Sequence, residues 1–85
     1  MAGHLDKIDI ELKKKISQRI TELRESSGKN QTEFAYLLGI DKQTLHRLES
    51  GRGATIYSIN KFCKARGITL SHFFDSQLFK EIKKQ

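Results

Sequence analysis

The chain has 85 residues, 36% of them hydrophobic, with a formal net charge of +6 and a single cysteine. That length leaves room for one small domain with one core and no second site-bearing lobe. One cysteine excludes an intrachain disulfide scaffold and fits a reducing cytosol. No apolar run approaches a membrane span, and Met1-Ala2-Gly3-His4 lacks the charged-then-apolar profile of a secretory signal, so a soluble intracellular protein is expected.

Apolar residues are few but strongly patterned, which argues against disorder. With no proline and six glycines, the chain reads as helices punctuated by glycine. Leu12, Ile16, Ile20 and Leu23 form one stripe of a helix from about Asp9 to Ser27, with Asp6 or Asp9 able to cap its start and Gly28 able to end it. Asn30 caps a second helix, about Gln31 to Leu38, with Phe34, Ala35 and Leu38 inward, and Gly39 stops it. Asp41 caps a third, about Lys42 to Ser50, that buries Leu45 and Leu48 and is closed by Gly51 and Gly53. Thr55 caps a fourth that buries Ile56, Ile59, Phe62 and Cys63 and ends at Gly67; Thr69 opens a short fifth with Leu70 and Phe73 inward. Nothing alternates long enough for a strand, so the expected fold is an all-α compact bundle.

Charge is distributed unevenly. From Lys42 to Arg66 there are six basic residues (Lys42, Arg47, Arg52, Lys61, Lys64, Arg66) against one acid, Glu49. Such a local excess attracts polyanions, although a basic, merely solvated surface would look the same by charge alone.

Residues 31–50 carry the strongest local pattern: two short helices with only Gly39, Ile40 and Asp41 between them. Helices joined so tightly cross steeply, at roughly 90–120°. Ala35 supplies the small residue where the backbones approach, Gly39 tolerates positive φ in the turn, Ile40 fills the wedge, and Leu45 and Leu48 anchor the second helix inward.

Here the sequence resembles the Cro and phage-repressor type of helix-turn-helix, the XRE family, over about Ile16 to Asp75. The resemblance is carried by Ile20, Leu23 and Arg24; by Asn30, Gln31, Phe34 and Ala35; by Leu38-Gly39-Ile40; and by Leu45, Leu48, Glu49 and Gly51. Its tail is Ile59, Phe62, Cys63, Ala65, Gly67, Ile68 and Leu70. It implies a five-helix phage-repressor-like bundle, homodimeric binding to inverted-repeat DNA operators, and no cofactor. Three departures fall on packing positions and the dimer side: Cys63 where alanine is usual, Arg66 where leucine is usual, and no proline in the loop after Gly51.

At about 100° per residue, Gln43, His46, Arg47 and Ser50 fall opposite the buried side of the third helix, while Lys42 and Thr44 flank its first turn, the end that enters a groove most deeply. The expected base-contacting residues are therefore Lys42, Gln43, Thr44, His46 and Arg47. The Gln43 amide matches adenine N6 and N7, Arg47 or Lys42 matches guanine O6 and N7, and the Thr44 methyl meets a thymine methyl. The expected phosphate contacts are Gln31 and Asn30 at the start of the second helix, where free N–H groups and the helix dipole favour an anion, and Arg52 in the loop after the third. The resemblance implies the same role for Gln31. Lys29 and Lys61 are weaker candidates. Glu49 falls about 40° from Leu45, toward the buried side, so it needs a cation; Arg24 is the natural partner, and the resemblance implies that structural ion pair.

His4, His46, His72 and Cys63 show no metal-ligand spacing, and no serine or cysteine nucleophile has an evident base, so neither metal, cofactor nor enzymatic activity is expected. Cys63 reads as a small buried hydrophobe. Phe74, Leu78 and Ile82 recur at i, i+4, i+8, with Phe79 adjacent: either a sixth helix covering the core or the seam of a homodimer. The expected organisation is an N-terminal extension at 1–8, the DNA-binding domain at 9–75 and an amphipathic tail at 76–85. The leading functional reading is a DNA-binding transcriptional regulator, a repressor acting as a homodimer in the cytoplasm. Its rivals are an antitoxin that binds a toxin protein as well as DNA, and an adaptor that uses the bundle for protein contacts.

Overall fold

The computed structural model describes residues 6–52 and 54–80. They form six helices: α1 (Lys7–Ser26), α2 (Gln31–Leu38), α3 (Lys42–Glu49), α4 (Ile56–Arg66), α5 (Leu70–Phe74) and α6 (Gln77–Lys80). Among the described residues there is no strand, and no helix is long and apolar enough to cross a membrane.

Short polar side chains fix where each of the first five helices starts, because each satisfies a backbone N–H that has no partner in the first turn. Asp6, rather than Asp9, caps α1, accepting from Asp9 N at 2.9 Å, so that helix begins two residues earlier than the apolar stripe suggests. Asn30 caps α2 in a reciprocal box with Glu33, with its Oδ1 accepting from Glu33 N at 2.8 Å and its own N–H donating to Glu33 Oε1 at 2.9 Å. Thr55 and Ser58 make the equivalent box on α4, and Thr69 caps α5 through His72 N.

The core draws Ile20 and Leu23 from α1, Phe34, Ala35 and Leu38 from α2, Leu45 and Leu48 from α3, Ile59, Phe62 and Cys63 from α4, and Phe73 from α5. All five phenylalanines of the chain connect through it. Phe34 meets Phe62 at 4.9 Å between ring centroids, Phe62 meets Phe73 at 6.3 Å, and Phe74 lies 4.9 Å from Phe73 and 5.0 Å from Phe79. The three fully buried rings, Phe34, Phe62 and Phe73, each contribute about 1.5–3 kcal/mol of transfer free energy, and Phe73 adds edge-on contacts with Phe62 and Phe74.

Two residues expected inside are outside. Leu12 is 37% exposed, and lies in an open hollow beside the loop that follows α3, with Gly51, Ala54 and Thr55. Ile56 is 52% exposed as the first residue of α4, where the helix has not yet reached the core. The tail also differs in detail. Asp75, with ψ of 76°, leaves the helical region between α5 and α6, so Phe74 and Leu78 do not share one continuous helix. The tail does cover the core, but through Phe74 and Phe79, with Leu78 half-buried. Ile82, Lys83 and Lys84 lie outside the described residues, as do Gly53 and His4.

Two arginines tie helix ends together across the bundle. Arg19 on α1 donates from Nε to the Phe73 carbonyl at 2.7 Å and from Nη2 to the His72 carbonyl at 3.0 Å, satisfying the C-terminus of α5. Arg66 donates from Nε to the Leu23 carbonyl at 3.0 Å and from Nη2 to Ser26 Oγ at 3.1 Å, closing the C-terminus of α1. Its guanidinium thus replaces apolar packing at that position with a helix cap.

Candidate nucleic-acid interface

The connection between α2 and α3 is built as the sequence requires. Gly39 holds φ of 73°, which an L side chain adopts only with strain, and the following Ile40 N–H returns to the Ala35 carbonyl at 3.1 Å. Ala35, 2% exposed, lets the backbones approach, and Ile40 packs half-buried against the core. Asp41 then caps α3 at once, accepting from Thr44 N at 2.7 Å. Thr44, through its side chain first and its backbone N–H second, holds the Asp41 carboxyl below the ordinary carboxylate range.

Leu45 and Leu48 bury one side of α3, and Lys42, Gln43, Thr44, His46 and Arg47 are all exposed on the remaining surface. Gln31, Lys42, Gln43, His46, Arg47 and Arg52 line one open depression. An adjoining depression at the start of α2 is lined by Arg24, Asn30, Gln31, Thr32 and Lys42. Seven of the eight expected base and phosphate residues therefore occupy two contiguous hollows. Thr44 stands apart on the other flank of α3, in a hollow with Ile40, Tyr57, Ser58 and Lys61. Tyr57, 83% exposed, was not singled out by the sequence; its neighbourhood with Thr44 is a tertiary fact with no local signature. Lys29 is exposed and its backbone carbonyl accepts from Arg24 Nη1 at 3.0 Å.

Behind the hollows lies a charged network. Arg24 donates from Nε to Glu49 Oε2 at 2.6 Å and from Nη2 to Glu49 Oε1 at 3.2 Å, a bidentate fork. The side chains are 12% and 6% exposed. The hydrogen bond to Glu49 raises the Arg24 pKa above its already high ordinary value. Gln31 Nε2 also donates to Glu49 Oε1, at 3.0 Å. The Gln31 amide is thus engaged on one side by the protein, which the sequence did not indicate.

The loop after α3 is closed by Gly51, at φ of 83°, with Gly51 N donating to the Leu48 carbonyl at 3.1 Å and Arg52 N to the Arg47 carbonyl at 2.8 Å. This places Arg52 at the rim of the main hollow.

A family model described as "Helix-turn-helix domain" matches residues 16–69, more than half of the chain. The chain belongs to the XRE-type helix-turn-helix family. Its helix-turn-helix is α2 with α3, and the family is a DNA-binding one. Among solved structures, the chain is similar to the wild-type restriction-modification controller protein C.Esp1396I, with 31% sequence identity and a TM-score of 0.72 over 87% of this chain and 95% of that one. No protein of curated function matches it by sequence.

Among the described residues, no group of three or more His, Cys, Asp and Glu side chains converges as a metal site would require. Cys63 is fully buried, and that burial pushes its thiol pKa up, away from the reactive thiolate.

Proposed function

We propose that this helix-turn-helix protein is a transcriptional regulator, a repressor, that reads a specific duplex DNA sequence by placing α3 in the major groove. The observation that carries the reading is the convergence of Gln31, Lys42, Gln43, His46, Arg47 and Arg52 on one exposed hollow, with Leu45 and Leu48 on the opposite, buried side of the same helix. In this reading Gln43 takes an adenine edge, while Lys42 and Arg47 take guanine edges. His46 borders the groove, and Thr44 touches a thymine methyl from the far flank. Phosphates are held by Arg52, by the start of α2 with Asn30 and Gln31, and by the dipole of that helix. The Asn30 cap already takes the Glu33 N–H and the Gln31 side chain donates to Glu49, so the backbone N–H groups of Gln31 and Thr32 carry the larger share of that contact.

Homodimerisation belongs to the same proposal: a twofold copy sets two recognition helices about 34 Å apart, one turn of DNA, on an inverted repeat. The tail from residue 76 is the candidate seam, with Phe79 spent on its own core and Leu78 half-buried. Cytoplasmic action and the absence of enzymatic activity follow from a regulator of this kind. The likeness to a controller protein weighs toward a regulator of neighbouring genes over an antitoxin or an adaptor.

Selection from random-sequence DNA supplies the site, and titration across salt concentrations tests the mechanism. Affinity falls steeply with salt as counterions are released, and Gln43→Ala relaxes preference at one or two positions per half-site with the salt slope intact. An unchanged preference profile in Gln43→Ala removes the readout assignment. Retention on any duplex without preference returns the adaptor reading to the front.

A further inference from the structure

The first turns of α1 precede the matched family segment, which begins at residue 16, and they are not idle. A β-carbon added at Gly51 would meet Lys13 Cγ at 3.5 Å, Cε at 3.9 Å and the Lys13 carbonyl at 3.7 Å, so the lysine stem lies directly over the glycine that closes the recognition helix. Gly51 is buried under this cover, while Lys13 itself is exposed. Arg52, the next residue, lies on the rim of the main hollow.

The direction of α1 agrees. Lys13 and Arg24 are eleven residues apart, which at about 100° per residue leaves them within about 20° of one line along the helix, separated by about 16 Å. Arg24 on that line reaches Glu49, the last residue of α3. The Lys13 flank of α1 is therefore the flank that runs past the C-terminal end of the recognition helix. Lys14 lies elsewhere, in a hollow with Lys7, Ile10, Glu11, Lys15, Ser17 and Gln18. Asp9 shares the hollow beside Gly51 with Lys13, one turn further out, about 6 Å along the axis.

We propose that Lys13 is a DNA phosphate contact, which extends the clamp begun by Arg52 onto the first turns of α1. An exposed ammonium whose stem is packed on the loop beside Arg52 presents its charge to the backbone bordering the groove that α3 occupies. The ligand is a phosphodiester of duplex DNA, and the contact carries no sequence information. It rests on the DNA-binding reading above and adds a stretch of backbone outside the helix-turn-helix to the footprint.

The test compares Lys13→Met with Lys14→Met in the full chain. Methionine keeps an unbranched stem over Gly51 while removing the charge, and thermal melting of each variant verifies that packing is retained. Binding is titrated against salt on a mixed-sequence duplex and on the selected site. Lys13→Met lowers the slope of log K against log salt by about 0.9 per subunit on both duplexes, with base preference unchanged. Lys14→Met leaves the slope at the wild-type value. Equal slopes for Lys13→Met and wild type overturn the proposal, as does an equal loss in both variants, which would reduce the effect to net charge. Failure of the wild-type chain to bind either duplex would instead remove the DNA-binding reading itself, and this proposal with it.

Discussion

Arg24→Ala is the most informative single change because it removes three of the bonds that hold the interface together. The variant loses the fork to Glu49, at 2.6 and 3.2 Å, and the bond to the Lys29 carbonyl at 3.0 Å. What remains is a carboxylate side chain that is 6% exposed in the native chain, with the Gln31 amide at 3.0 Å as its donor. Breaking a fully buried pair costs about 3–5 kcal/mol. Here the surviving amide and the water admitted by the vacated arginine reduce that to about 2–3 kcal/mol. For a domain of this size the melting temperature falls by about 4–8 °C per kcal/mol, hence by about 10–20 °C, read by far-ultraviolet circular dichroism at neutral pH. The sign of a second change separates charge burial from lost packing. Adding Glu49→Gln in the Arg24→Ala background removes the stranded charge while keeping an acceptor for Gln31, and recovers part of the loss. An Arg24→Ala melting temperature within about 2 °C of wild type, or a double variant no more stable than Arg24→Ala, would refute the reasoning.

Other expectations follow from single contacts. Gly39→Ala meets no atom within 4 Å, so its cost is conformational alone, about 1–2 kcal/mol for an L residue held at φ of 73°, and chemical denaturation should show a lower midpoint with an unchanged m-value. The Asp41 carboxyl is held below its ordinary pKa of 3.8 in the folded chain, so its contribution is complete above the unfolded pKa and is lost as pH falls through the folded one. Melting curves of wild type and Asp41→Asn should therefore converge on acidification below about pH 4; a constant difference down the acid limb would remove the assignment. Cys63, buried with its thiol pKa raised, should resist alkylation in the native protein at neutral pH and react once denaturant is added. Rapid native labelling would contradict that burial.

Local chemistry was legible in the sequence and long-range partnership mostly was not. The caps at Asn30, Asp41, Thr55 and Thr69, the left-handed turn at Gly39 and the outward set on α3 each follow from rules that act within four residues. The sequence marked Arg66 only as a cation where leucine is usual and did not mark Arg19, because their acceptors are backbone carbonyls 43 and 54 residues away, a partner type that every residue offers. Leu12 failed for the opposite reason: its spacing places it correctly on the stripe, but its neighbour there is the loop after α3, which leaves it 37% exposed. The Phe74–Leu78–Ile82 repeat likewise assumed a continuity that Asp75 interrupts, leaving Phe79 as the ring that closes the core.

The Arg24–Glu49 pair shows why the fold and the proposed site are not separable. Glu49 lies in the last turn of α3, Arg24 belongs to α1 and Gln31 opens α2, so one carboxylate is the common acceptor of both helices that flank the recognition helix. The residues proposed for base edges and those proposed for phosphates are carried on different helices, and their relative placement is useful only if those helices keep register to within a hydrogen bond. A neutral, well-packed core side chain at position 49 would stabilise the bundle as well or better. It would remove the side-chain bond from Gln31 that ties α3 to the start of α2 among the described residues. The carboxylate is thus best understood as fixing the angle at which the exposed face of α3 meets the start of α2, and variants at Arg24 should lose DNA discrimination in proportion to that angular freedom rather than to their stability alone.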